Sequence, residues 1–474
     1  MMHNKKSLLL LLLSTAAMSG RVISAHGANW NVVPSLTFNE TYTDNVDLDS
    51  SVRRSDFVTQ IGPKVQITGE GARLKASLLY APNYFYYPAG HDKHEFRQNL
   101  QANLSSEVIR DTFFIDASAG INQRFLDRRQ AISTERVSRT SNRQTIQTYQ
   151  FSPYARHRFG SWATAELRYN LSYVRRARGA LQTTPNTVFG NSLTHLGSFS
   201  VSSGPQFQRL TWTMSALYQK EKRENLSNYK TTTARADFSY QLSTMFSALG
   251  SAGYQKRDAI GSFANFKGFI WDAGFRFVPG PRTSVSFRYG NQFDGNTFSL
   301  DALYKITSKN NISLTYSDKI QTFQSLALDS NSTTNLGTSL GGNFISGDLT
   351  RRKQWNFTVS GTRGRTTYGA SAFYSKFISD KVVLNEKRYG GSVTIARNLN
   401  SKLSINGGFS YNLSKFLSDN VNDKFWSASA NVNYKISKSL IGTIGYVHSN
   451  RDQRRFGLLN GGSNYVSLSI SAAL

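Results

Sequence analysis

The chain contains no cysteine. Structural disulfides, thiolate zinc sites and cysteine nucleophiles are therefore excluded. Histidine is scarce too, with seven in 474 residues, and His3 and His26 fall in the leader described below. Enzymatic chemistry needs a nucleophile beside a base, or paired carboxylates, held close together. His91, Asp92 and His94 in AGHDKHE come nearest. With only two imidazoles in a polar loop tip, they read as solvated loop polarity rather than a metal site. No enzyme and no cofactor is expected. Acidic residues are few, 29 against 56 Lys and Arg, which leaves a formal charge of +27. Nucleic acid is a poor partner for that charge, because the chain carries an export leader and no binding module. Long apolar runs are also missing. Beyond the leader, nothing approaches the roughly 18 residues of a helical membrane span.

Aromatic residues are abundant instead. The apolar fraction is only 39%, yet the chain carries 31 Phe and 23 Tyr. That combination suits a wall with an aromatic outer face and a polar inner face. Residues 1–28 read as a signal peptide. Lys5 and Lys6 form the positive region, Ser7 to Ala17 the apolar core, and Ser24 to Ala28 the small residues for cleavage. An exported chain without a helical span can cross a membrane only as a closed β-barrel.

Gly268 to Gly290 is the repeating unit in its clearest form. Phe269, Trp271, Ala273, Phe275 and Phe277 alternate with Gly268, Ile270, Asp272, Gly274 and Arg276. A period of two puts the first set on one strand face. Val278-Pro279-Gly280-Pro281 turns the chain, and Val285, Phe287 and Tyr289 repeat the pattern on the return. Comparable segments begin at Trp30 and recur near 147–159, 209–219, 233–242, 354–362, 366–376, 402–412, 425–436 and 439–448, until 464–474 ends the chain. About 22 such segments are present, each near the 9–11 residues of a tilted spanning strand. Connections alternate short and long, as periplasmic turns and external loops do. The expectation is all-β: an antiparallel up-and-down transmembrane barrel over 29–474, with 18–22 strands. Its strands begin at Trp30 and run to the final residue, which leaves no room for a plug or a following soluble domain.

The polar faces place Arg73, Lys75, Arg97, Arg168, Arg235, Arg276, Arg288 and Lys305 toward the lumen, with Glu95, Glu166, Asp237, Asp272 and Asp301. Both signs occur, so the reading is bracing between neighbouring strands with a modest bias toward anions. The long connections add Arg124, Arg128, Arg129, Arg136, Arg139, Arg143, Arg175, Arg176 and Arg178. External arginines suit lipopolysaccharide phosphates or an anionic polysaccharide, and solubility of the loops explains them equally well. Tyr84, Tyr86, Tyr173, Tyr218 and Tyr254 are expected in the outer aromatic girdle, Phe275 and Phe277 in the inner one. Residues 319–353, with Gly337, Gly341, Gly342 and Gly347, could fold inward as a constriction or stand outside.

NETYTDNVDLDS, SDFVTQIGPKVQITGEGARLKASLLY, SPYARHRFGSWATAELRY and WDAGFRFVPGPRTSVSFRYG resemble the PEP-CTERM system-associated outer-membrane proteins. The likeness runs at intervals from about Trp30 to Leu303. It implies the outer membrane of a Gram-negative bacterium and a setting of exopolysaccharide production and exosortase sorting. It brings no catalytic motif. Two functions stay open: a porin-like channel or export conduit for polar or anionic solute or exopolysaccharide, served by a periplasmic partner; and a non-conducting docking barrel whose basic loops bind lipopolysaccharide or secreted polysaccharide.

Overall fold

In the computed structural model the chain is described over residues 28–474, apart from 50–51, 90–92, 126–130, 141, 177–189, 225–226, 260–264, 293–294, 323–327, 329–348, 380–384, 418–420 and 454–460. The described residues form one antiparallel sheet that closes on itself. Its first strands are β1 (Ala28–Thr43), β2 (Asp56–Gly71), β3 (Leu74–Tyr80, continued by Asn83–Tyr86) and β4 (His94–Arg97, continued by Leu100–Ile109). Next come β5 (Phe113–Phe125), β6 (Arg143–Phe159), β7 (Ala163–Arg176), β8 (Ser192–Ser203), β9 (Leu210–Arg223) and β10 (Tyr229–Gln241). They are followed by β11 (Phe246–Asp258), β12 (Phe266–Gly280), β13 (Thr283–Gln292), β14 (Gly295–Thr307), β15 (Asn310–Gln321) and β16 (Thr350–Arg363). The last are β17 (Thr366–Ser379), β18 (Glu386–Asn398), β19 (Leu403–Phe416), β20 (Val421–Lys435), β21 (Leu440–Gln453) and β22 (Gly461–Ala473).

Twenty-two strands result because two of them are interrupted. Pro82 has no N–H to give to a ladder, so β3 pauses there. Its partner β4 pauses opposite, and the gap is bridged by Ala81 N to Asn99 O at 2.8 Å and Asn99 N to Ala81 O at 3.3 Å. Closure is made by β1 with β22, in register from Ser35 opposite Ala473 to Thr43 opposite Tyr465. Every strand thus has two antiparallel neighbours, which satisfies its backbone groups without water. Short turns close one end of the barrel. Gly160 (φ 56°) and Gly364 (φ 59°) take left-handed conformations there, which a side chain would oppose.

The alternation decides the faces. Phe269, Leu167, Ile444 and Val393 stand on the outside, each more than half exposed. A barrel surface this apolar is a lipid-facing one. One difference from the sequence pattern is systematic. The apolar alternation starts β6, β10, β16 and β20 near 147, 233, 354 and 425, whereas the ladders start at Arg143, Tyr229, Thr350 and Val421. The extra turns all lie at the long-loop end. There the strands leave lipid, so the outward residue need not be apolar although the hydrogen bonding continues.

Lipid and lumen faces should respond differently to charge. Phe409→Arg, on the lipid face of β19, is expected to cost about 2–4 kcal/mol of stability. Asn431→Arg, on the inner face of β20, should change it by less than about 0.5 kcal/mol. Denaturant titration of the barrel in lipid vesicles measures both.

Candidate functional site

The inner wall has two different sides. On β5–β7 and β10–β13 it is charged and internally neutralised. Arg168 binds Asp116 through Nη1 and Glu166 through Nε, both at 2.9 Å. Arg156 joins Glu166 at 2.8 Å, and the Arg168 guanidinium lies 3.7 Å above the Tyr154 ring. Asp272 is the shared acceptor of the second network, receiving Arg235 at 2.6 Å, Arg288 at 2.7 Å and the Ser251 hydroxyl at 2.6 Å. Register explains the meeting. Asp237, Ser251, Asp272 and Gly290 are direct partners across four strands, with Arg235 two residues along β10 toward the long loops and Arg288 two residues along β13 toward the short turns. Small residues keep the row passable: a Cβ on Gly290 would sit 2.6 Å from the Cβ of Asp272.

Four of the eight basic residues expected in the lumen are therefore ion-paired: Arg97, Arg168, Arg235 and Arg288. Lys75, Arg276 and Lys305 are exposed and make none of the ion pairs among the described residues. Arg73 lies outside the strands, in the short turn between β2 and β3, where its carbonyl accepts from Glu107 N.

On β16–β20 the inner wall carries charge toward the long-loop end, where Arg388 pairs with Glu386 and Asp423 with Arg451; nearer its middle it is polar and uncharged. A groove of about 450 Å³ runs over Ser360, Thr394, Asn406, Ser410, Ser429 and Asn431, with Gly369 and Gly408 between them. No charged side chain lines it. Ser410 and Ser427 share a hydrogen bond at 2.8 Å, as do Ser371 and Ser392.

The mouth at the long-loop end holds a third feature. Among the described residues, 131–140 and 142 between β5 and β6 turn inward; most of 319–353, including Gly337, Gly341, Gly342 and Gly347, lies outside the described residues. Val137 joins a buried cluster with Val46, Val58, Phe85, Tyr87 and Tyr465. The Tyr465 hydroxyl lies 2.9 Å from Ser138 Oγ and 3.3 Å from Ser133 Oγ. Further along, Ile132 packs with Phe125 of β5 and Phe425 of β20, so the loop reaches well around the rim. Two arginines satisfy its carbonyls. Arg143 donates to the oxygens of Glu135 (2.9 Å), Arg136 (2.6 Å) and Ser138 (3.2 Å). Arg97 donates to those of Arg136 and Ser138 while paired with Glu95. Burial pushes the Tyr87 hydroxyl up to about 12, against the opposing Arg97, so it stays protonated beside that guanidinium.

The loop arginines are consequently placed differently from the expectation. Arg124, Arg143, Arg175 and Arg176 belong to the extended strands β5, β6 and β7 rather than to free loops. Arg139 donates its backbone N–H to Val46 and lies 5.3 Å above the Tyr87 ring. Arg136 is exposed, while Arg128, Arg129 and Arg178 lie outside the described residues, as do His91 and Asp92. Tyr84, Tyr86, Tyr173, Tyr218, Tyr254, Phe275 and Phe277 share the outward face, with Tyr84 and Tyr86 stacked on His94. The mouth residues were missed, although Phe85, Tyr87 and Tyr465 are apolar residues on the polar phase, which is a usable signal.

Removing the shared acceptor should unbalance the charged wall. Asp272→Asn leaves Arg235 with Asp237 alone and weakens the hold on Arg288, at an expected cost of about 1–3 kcal/mol. Unfolding in vesicles measures it. A companion Arg288→Ser substitution should restore part of the loss, because it removes the unpaired charge.

No protein-family profile matches the chain, and no curated protein does. Solved structures resemble it in fold. The siderophore receptor PirA of Acinetobacter baumannii superposes with a TM-score of 0.52 at 9% identity, over 94% of this chain and 80% of that one. The FrpB iron transporter of Neisseria meningitidis, F5-1 variant in its apoprotein form, gives 0.54 at 11% identity, over 93% and 81%. The ferric enterobactin receptor PfeA of Pseudomonas aeruginosa, as its R480A mutant with enterobactin, gives 0.51 at 10%, over 94% and 81%. At these identities the likeness is one of architecture: the chain has an outer-membrane-type β-barrel fold of 22 strands.

Proposed function

We propose that this chain, exported by its leader, sits in the outer membrane of a Gram-negative bacterium as a conduit for polar solute, with polysaccharide as its cargo and no plug domain. Fold likeness does not identify cargo, so the lumen wall carries the reading. The decisive observation is the groove on β16–β20, which no charged side chain lines and where Ser, Thr, Asn and Gly stand among Tyr368, Val393, Ile395, Ala396 and Phe409, set in a barrel whose charged strands neutralise themselves. Hydroxyl and amide groups exchange hydrogen bonds with a sugar chain at little net cost. Paired arginines neither trap nor strongly repel a passing charge, and Lys75, Arg276 and Lys305 leave a modest bias toward anions. The exopolysaccharide setting comes from the family resemblance, and a periplasmic partner would deliver the polymer to the short-turn end.

A second reading, the non-conducting docking barrel, is favoured by one observation: residues 131–140 and 142 are packed into the mouth on a buried apolar cluster. Sugar permeation of proteoliposomes separates the two. The wild type is expected to admit small neutral sugars. Val137→Asp, which places a charge in the cluster holding the loop, should raise the rate several-fold and admit larger sugars. If neither folded protein admits sugar, the conduit reading falls and the docking barrel stands.

A further inference from the structure

Lys353, Lys376, Lys387 and Lys415 lie on four consecutive strands, β16 to β19, and are direct partners in the ladder: Lys353 opposite Lys376, Lys376 opposite Lys387, Lys387 opposite Lys415. They occupy the outward phase, the one that carries Phe357, Tyr389 and Tyr411, near the long-loop ends of their strands. Three strand spacings make the row about 14 Å long. Because barrel strands tilt by about 35–45°, it climbs across the headgroup layer rather than lying flat in it.

Like charges directly opposite one another destabilise a sheet, and here three such pairs are contiguous. Among the described residues internal compensation is slight. Lys353 reaches Asp318 at 3.8 Å, but that carboxylate is already held by Arg351 at 2.7 Å. The Lys415 ammonium lies 5.7 Å from the centre of the Tyr389 ring. Lys376 and Lys387 make none of the ion pairs among the described residues. A row of unbalanced ammonium groups on a lipid-facing wall calls for an anion from outside the chain.

The surface beneath the row says what carries that anion. Two residues toward the membrane on the same face stand Trp355, Tyr374 and Tyr389, with the two tyrosine rings 5.1 Å apart. Two residues further, Phe357, Ala372, Gly391 and Tyr411 are partners in one row. The small pair flanked by two aromatic side chains leaves space beside the rings that suits an acyl chain. Charge above, aromatic edge in the middle and apolar space below follow the profile of a lipid, not of a free ion.

We propose that this face binds a phosphorylated glycolipid of the outer leaflet, with its phosphates on Lys376, Lys387 and Lys415 and an acyl chain over Ala372 and Gly391. The site rests on the barrel's placement in the outer membrane and is independent of what the lumen passes. It differs from the loop arginines, since it uses the strands themselves.

Native mass spectrometry of the folded barrel in a neutral detergent, titrated with bisphosphorylated lipid A, tests it. At roughly fivefold per lysine, Lys376→Ser, Lys387→Ser and Lys415→Ser together should weaken the tightest binding about 100-fold. Arginine at the same three positions should keep it within a few-fold. Heat-modifiable gel migration shows which variants fold, and each single serine variant carries its own fivefold expectation. Sugar permeation should be unchanged in every variant, so failure here and failure of the conduit are distinguishable. Equal affinity of the triple serine variant and wild type would overturn the site. Equal binding of dephosphorylated lipid A would also do so, because acyl contact alone would then suffice. Displacement of the lipid by inorganic phosphate at matching concentration would overturn the lipid assignment and leave a phosphate site.

Discussion

Backbone amides inside a lipid layer have no water to bind, so each must find its partner on a neighbouring strand. That requirement forces the sheet to close, and closure here is the β1–β22 ladder of Ser35–Thr43 against Tyr465–Ala473. Everything else depends on the ring being complete. Closure gives each strand an inside and an outside, and period-two side chains then sort themselves by medium. The same rule sets the limits of the strands. Where they rise above the membrane, the ladder persists and the side-chain code relaxes, which is why Arg143, Arg175 and Arg176 can sit on strands.

Inside the ring, the problem is charge. An arginine in the lumen is costly unless paired or hydrated, and surface pairs contribute little by themselves. The chain handles this by placing carboxylates within reach across the register, so that Asp272 serves Arg235 and Arg288 together. The groove on β16 to β20 avoids the problem by carrying no charge. The mouth uses a third solution: the loop carbonyls accept from Arg97 and Arg143, which lets polar backbone lie beside the buried Val137 cluster.

Much of this was legible in the residues alone, for a physical reason. Alternation reports the medium on each side of a strand, so Phe269 against Gly268 or Leu468 against Ser469 could be sorted without coordinates. Partners two residues apart, such as Arg235 and Asp237, were also accessible, since a strand puts them on one face. Pairings across the sheet were not. Arg168 and Asp116 are separated by 52 positions, and only the register of β5, β6 and β7 brings them together. The inward loop was the largest gap. Periodicity is silent about loops, so nothing in it singled out the segment that follows β5. Apolar residues on the polar phase near strand tops, Phe85, Tyr87, Phe425 and Tyr465, mark the wall on which it packs.

The proposed polar passage has arginines largely neutralised by their own neighbours. Its most direct measurement is the reversal potential of the reconstituted barrel in a planar bilayer under a salt gradient. Measurable conductance with only a weak preference for anions is expected, growing when Asp272 is replaced by Asn. Strong anion selectivity in the wild type would contradict the pairing of the charged wall. Silence from a folded barrel with Val137→Asp would contradict the passage itself.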